Sequence, residues 1–186
     1  MTRAVGIDLS LTGTGLAAIT TVPGGVDLTV ATITSKGSRD DTLRQRRDRL
    51  YGIVLAVSQF ASGADLVVVE APAFSKNNAS TWDRAGLWWA VIDMLMLDQH
   101  RVAIAPPNVV KKFATNKGNA DKPAVAVGIA RLWGEQCQCA NDNEYDALTM
   151  ATMGAQRLAL PGVPIRAHHA AALASVAWDQ PEGVAA

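Results

Sequence analysis

Val5-Gly6-Ile7-Asp8-Leu9-Ser10-Leu11-Thr12-Gly13-Thr14-Gly15 reads as a short apolar strand that carries one carboxylate and then enters a Gly/Thr/Ser turn. A charge inside an apolar strand is costly to bury unless something pairs with it. A divalent metal is one such partner, and the chain supplies further carboxylates in matching settings. That combination points to metal-dependent chemistry on a phosphate ester.

Outward from this stretch, residues 3–9 and 14–21 predict two strands joined by a tight turn. Pro23-Gly24-Gly25 predicts the next turn, and Asp27 to Ser35 alternates apolar and polar residues like a third strand. The three form an expected antiparallel meander. Asp40-Asp41 predicts the opening of a helix through about Ser62, with acids in its first turn, and Leu50, Ile53, Val54, Val57 and Phe60 recur at helical spacing. Leu66-Val67-Val68-Val69 is a β-branched run of the kind buried on both faces, and it ends at Glu70. Ser80 predicts the cap of a helix to about Leu97, Val102 to Ala105 a fifth strand, and Pro106-Pro107 the start of a short helix. Two more helices are expected over Asp121 to Trp133 and Asn141 to Leu158.

The expected fold is therefore α/β: a five-stranded mixed sheet, three antiparallel strands followed by two parallel ones, flanked by helices. Residues 1–160 are expected to form one domain. Residues 161–186, rich in Ala, Pro and Gly, are expected to be a peripheral tail with one loose helix near His168 to Trp178.

Composition narrows the function. No run of eighteen apolar residues exists, and Met1-Thr2-Arg3 leads straight into a strand, so the expectation is an intracellular, cytoplasmic protein with no membrane partner. Cys137 and Cys139 stand far from the three histidines, and reduced thiols are expected. A net charge of zero weighs mildly against a nucleic-acid partner, but the distribution matters more. Basic residues crowd 36–49 and 101–122, while acids dominate 135–146. A nuclease acting on DNA needs basic segments beside an acidic centre.

The acids that can make that centre are Asp8, Glu70, Asp142 and Asp146. The last two stand four apart near a helix start and share a face with Asn143. If the first and fourth strands are neighbours, Asp8 and Glu70 converge, and the last helix can bring Asp146 to the same point. Crowded like charges raise each other's pKa, and Mg²⁺ or Mn²⁺ would cancel the repulsion. The plain alternative for each acid is an ordinary surface residue.

At this point the chain resembles the RuvC-type Holliday junction resolvases of the ribonuclease H-like superfamily. Gly6 to Gly15 looks like their first-strand motif, Val68-Val69-Glu70-Ala71-Pro72 like the second acidic motif, and Asp142-Asn143-Glu144-Tyr145-Asp146-Ala147-Leu148 like the third. Val110-Lys111-Lys112, Lys117-Gly118-Asn119-Ala120 and Asp121-Lys122 resemble the basic segment between them. The spacing suggests a phage-type member. The resemblance implies a ribonuclease H-like fold and a homodimer that makes paired nicks in a four-way DNA junction with Mg²⁺ or Mn²⁺, two ions per site. It implies Asp8, Glu70 and Asp146 as metal-binding acids, and Lys111 and Lys122 near the scissile phosphate. The family's fourth acid falls on Asn143, a departure that leaves Asn143, Asp142 or Glu144 as the fourth ligand.

Phe74 and Lys76 lie in a loop that the resemblance places against DNA bases, and Lys112 and Lys117 are further DNA-binding candidates. Arg44, Arg46, Arg47 and Arg49 read as a solvated helix face. Trp82, Trp88, Trp89, Val91, Ile92, Met94, Leu95 and Met96 make the helix after Ser80 apolar almost all round, suited to the core and to a two-fold dimer contact. Three other readings fit parts of this pattern: a broader branched-DNA or flap endonuclease, a non-catalytic junction binder and an actin-like kinase. The last needs two duplicated halves, for which 186 residues are too few.

Overall fold

The structure, a computed structural model, describes residues 1–72 and 80–178. Alternate residues of a strand face opposite sides of the sheet, and this alternation assigns the two layers. Val5 and Ile7 of β1 (Arg3–Asp8) share one side with Leu16 and Ala18 of β2 (Gly13–Val22) and with Val67 and Val69 of β4 (Leu66–Glu70). There they pack against Ile53, Val54 and Val57 of α1 (Leu43–Ala61) and Leu87, Val91 and Leu95 of α2 (Thr81–Leu97). Ala4, Leu66 and Val68 face the other side. They meet α5 (Asp142–Arg157), flanked by α3 (Pro107–Thr115) and α4 (Lys122–Trp133).

With β3 (Gly25–Thr34) and β5 (Val102–Ala105) the sheet runs in the order β3-β2-β1-β4-β5. The first three strands pair antiparallel and the last two join in parallel, which is the expected arrangement. Among the described residues no helix is long and apolar enough to cross a membrane. Cys137 and Cys139 are free and half-buried.

Two local expectations are corrected. The first long helix opens at Leu43, not at Asp40-Asp41. Thr42 accepts from the Gln45 amide while the Gln45 side chain accepts from the Thr42 amide, a reciprocal capping box. Asp41 instead accepts from the Ser38 amide and shapes the turn before it. The segment after Pro161 is not peripheral through Trp178. The short helix α6 (His169–Leu173) packs on α3, with Ala172 and Val176 buried beside Phe113 and Met153, and Ala177 forms an antiparallel bridge with Ile104 of β5. Its anchors are His169, Ala172 and Val176, with Leu173 and Trp178 packed beside them, a run too short to give a hydrophobic periodicity to read.

Candidate active site

Asp8 and Glu70 are brought together by strand register. β1 and β4 are parallel neighbours with Ala4 opposite Leu66 and Ile7 opposite Val69. One more step sets Asp8 level with Glu70, both at carboxyl ends of strands and both on the α5 side by alternation. The helix α5 descends along β1 toward that end. Gly154 lies over Ala4 and Val68, the Ala147–Ala151 turn rests on Gly6, and Asn143 rests on Gly15. A Cβ at Gly6 would collide with the Ala147 carbonyl and the Ala151 amide, so the helix and strand touch backbone to backbone. Asp146 stands one residue before Ala147 and therefore arrives beside Asp8. Asn141 fixes the start of the helix, its side chain accepting from the Glu144 amide at 3.2 Å.

The electrostatics record the meeting. Burial, then the Asp146 charge, pushes the Asp8 carboxyl up to about 7, opposed by Lys122. Burial, then Asp8 and Asp146, pushes Glu70 up to about 8, opposed by Lys111 and Lys122. Asp146 is raised by burial and by Asp142, and lowered by Lys122 and Lys111. The sequence-predicted set Asp8, Glu70, Asp146, Lys111 and Lys122 is thus one interacting group. Lys122 Nζ also lies 3.8 Å from Asp142 Oδ2, at the exposed rim.

Hard oxygen donors crowded at the cost of their own ionisation suit a divalent cation. Among the described residues, however, no three His, Cys, Asp or Glu side chains close on one another as a ready cage. The donor chemistry fits Mg²⁺ or Mn²⁺.

The remaining candidates separate. Asn143 lies with its amide over Gly13 at the start of β2, and Asp142 is exposed beside Lys122. The Glu144 carboxylate is buried and held away from the other acids. It accepts from Thr32 Oγ1 at 2.6 Å and from the Ala140 amide at 2.7 Å. Lys111 and Lys122 oppose the upward shifts of Glu70 and Asp146; Lys112 is half-buried in the last turn of α3 and Lys117 is exposed after it. Phe74 and Lys76 lie outside the described residues.

Sequence reading missed two supports of the site. Trp88 donates from Nε1 to the Glu70 carbonyl at 3.0 Å and fixes the end of β4. Arg49 is not solvated but donates to the Leu11 carbonyl and to Ser35 Oγ, holding the turn that follows Asp8. Arg46 likewise pairs with Asp83 of α2, whereas Arg44 and Arg47 are exposed. No spacing rule reveals contacts between elements this far apart. Glu70 also walls a cleft of about 430 Å³ between Leu9, Ser10 and Leu11 on one side and Arg84 and Trp88 on the other.

A family model described as Crossover junction endodeoxyribonuclease RuvC matches residues 4–153. The chain belongs to the RuvC family. No match is found among curated proteins. The structure is similar to Thermus thermophilus RuvC, at 20% identity and TM-score 0.65, covering 88% of this chain and 99% of that one. It is similar to T. thermophilus RuvC in complex with a Holliday junction substrate, at 18% identity and TM-score 0.65, covering 89% and 100%. The yeast mitochondrial Holliday junction resolvase Ydc2 is a more distant likeness, at 11% identity and TM-score 0.55, covering 81% and 76%. These likenesses establish the ribonuclease H-like fold, and the family match places this chain among RuvC proteins.

Proposed function

We propose that this RuvC-family chain is a structure-selective endodeoxyribonuclease that, as a homodimer, resolves four-way DNA junctions by metal-dependent phosphodiester hydrolysis. The observation that carries the reading is the convergence of Asp8, Glu70 and Asp146 under the influence of Lys111 and Lys122. Asp8, Glu70 and Asp146 would hold Mg²⁺ or Mn²⁺, with Asn143 or Asp142 at the edge of the set. Two such ions, when bound, supply positive charge at the phosphate and a water of lowered pKa. Lys111 and Lys122 meet the phosphate oxygens as compact cations and offset charge that builds on them. The products are a 5′-phosphate and a 3′-hydroxyl. Selection rests on the shape and backbone of the DNA.

Support for the dimer comes from α2. Its inner face is core, but Trp82 is 83% exposed, Trp89 66%, Met96 60% and Leu97 70%. Large apolar side chains grouped on one exposed helix suit contact with a second copy. A two-fold dimer would present two sites to two opposed strands.

Purified protein is incubated with a synthetic four-way junction and with a linear duplex of the same sequence, with Mg²⁺, Mn²⁺ or EDTA. Paired nicks confined to the junction, abolished by EDTA, are expected. Equal cutting of the duplex would replace the reading with a general nuclease; tight junction binding without cutting would replace it with a binding protein.

A further inference from the structure

The RuvC match ends at residue 153, yet the chain beyond it returns to α3 and to the end of α5, the helices that carry Lys111 and Asp146. His168 Nε2 lies 2.9 Å from the Phe113 carbonyl. A carbonyl only accepts, so Nε2 carries the proton and donates. Phe113 stands in the last turn of α3, where carbonyls lack partners within their own helix; His168 supplies one. The His169 ring stacks on the Phe113 ring, centroids 3.8 Å apart and planes at 21°.

The same His169 is tied to α5. Gln156 Nε2 donates to the Pro164 carbonyl at 2.6 Å, which fixes the amide's orientation, and its second hydrogen goes to His169 Nδ1 at 2.8 Å. The Arg166 amide also donates to Nδ1 at 3.3 Å. His169 is 1% exposed, and burial, His168 and Arg166 lower its pKa to about 4, so it stays neutral and Nδ1 remains an acceptor. The pair thus links α3, which carries Lys111 two residues before Phe113, to α5, which carries Asp146.

We propose that His168 and His169 are positioning residues: with Gln156 they clamp α3 against α5 and so hold Lys111 at the acids. The clamp adds no charge to the site. It acts by setting where the Lys111 stem begins. The inference rests on the nuclease reading, because only there does the placement of Lys111 affect a rate.

The test is a double-mutant cycle on junction cleavage under single-turnover conditions, with amide hydrogen exchange of α3 recorded on the same proteins. His168→Ala is expected to lower the cleavage rate about tenfold at unchanged junction affinity, as small misplacements of a reacting group do. His168→Gln, which keeps a donor at the same reach, is expected to restore most of it. In a Lys111→Ala background His168→Ala is expected to change the rate by less than about twofold, since coupled residues fail to add. A full tenfold loss in that background would assign a general structural role and overturn the proposal. So would an unchanged rate in folded His168→Ala. If His168→Ala does not fold, His169→Phe, which keeps the stack on Phe113 but cannot accept from Gln156, enters the same cycle under the same criteria. Should the wild type cut no branched DNA, the nuclease reading fails by itself. The clamp is then judged by exchange alone: faster exchange of α3 amides in His168→Ala supports it, and unchanged exchange overturns it.

Discussion

At the scale of single residues, the three carboxylates matter more for their ionisation than for their number. Asp8 and Glu70 hold protons more tightly in the folded chain than at their ordinary values of 3.8 and 4.5. Between those values and about 7 to 8 the folded state therefore binds more protons than the unfolded one. The contribution of these two acids to stability without divalent ions is fully present below about pH 4 and is lost as pH rises through about 7 to 8. Thermal melts in EDTA at pH 5 and pH 8 should show the lower Tm at pH 8. Asp8→Asn removes one of the repelling charges. It should raise the Tm at pH 8 in EDTA by about 2–4 °C, which is about 1 kcal/mol in a chain of this size. The same substitution should lower junction cleavage by on the order of 10³-fold, because several kcal/mol of charge stabilisation depends on that carboxylate. A Tm that rises with pH in EDTA would show that these acids are not forced together.

Elements explain which parts of the site were legible in the sequence. Asp8 and Glu70 sit at strand ends, and a period of two fixes the face of each once the strands are known to be neighbours. The β-branched run before Glu70 and the turn after Asp8 announce those strands directly. Asp146 was reached through the resemblance of residues 142–148 to the family's third acidic motif, since its spacing from Asp142 alone fits a surface helix face equally well. The first helix start was misread because two acids looked like a dipole signal, while the Thr42–Gln45 capping box outcompeted them. Glu144 was open as a ligand in the sequence, which does not show its bonds to Ala140 and to Thr32, a partner 112 residues away. Arg49, Trp88, His168 and His169 act across elements, and no local pattern encodes such contacts. Gly6 gives the element-scale prediction. Gly6→Ala would drive a methyl into the α5 backbone and should cost about 1–3 kcal/mol or more, read from denaturant unfolding. The same experiment on Gly52, whose Cβ would meet open space, is the control.

For the whole molecule, the sheet puts two helices on one side and the acids on the other. The exposed apolar residues of α2 therefore lie away from the face that carries the acids. Trp88 connects the two, donating to Glu70 while its ring meets that of Trp89 edge-on at 4.9 Å. Trp89→Glu should convert a dimer to a monomer in analytical ultracentrifugation, since an unpaired charge would be buried at the contact. It should also uncouple the paired nicks while leaving the folded monomer intact by circular dichroism. A monomeric wild type would remove the two-fold explanation for symmetric cutting.

The backbone contact of α5 with β1 and β2 has a consequence for divergence. A gap set by peptide atoms at Gly6 and Gly15 is indifferent to which aliphatic side chains fill the cores around it. A side chain at either position would push α5 off the sheet and carry Asp146 away from Asp8.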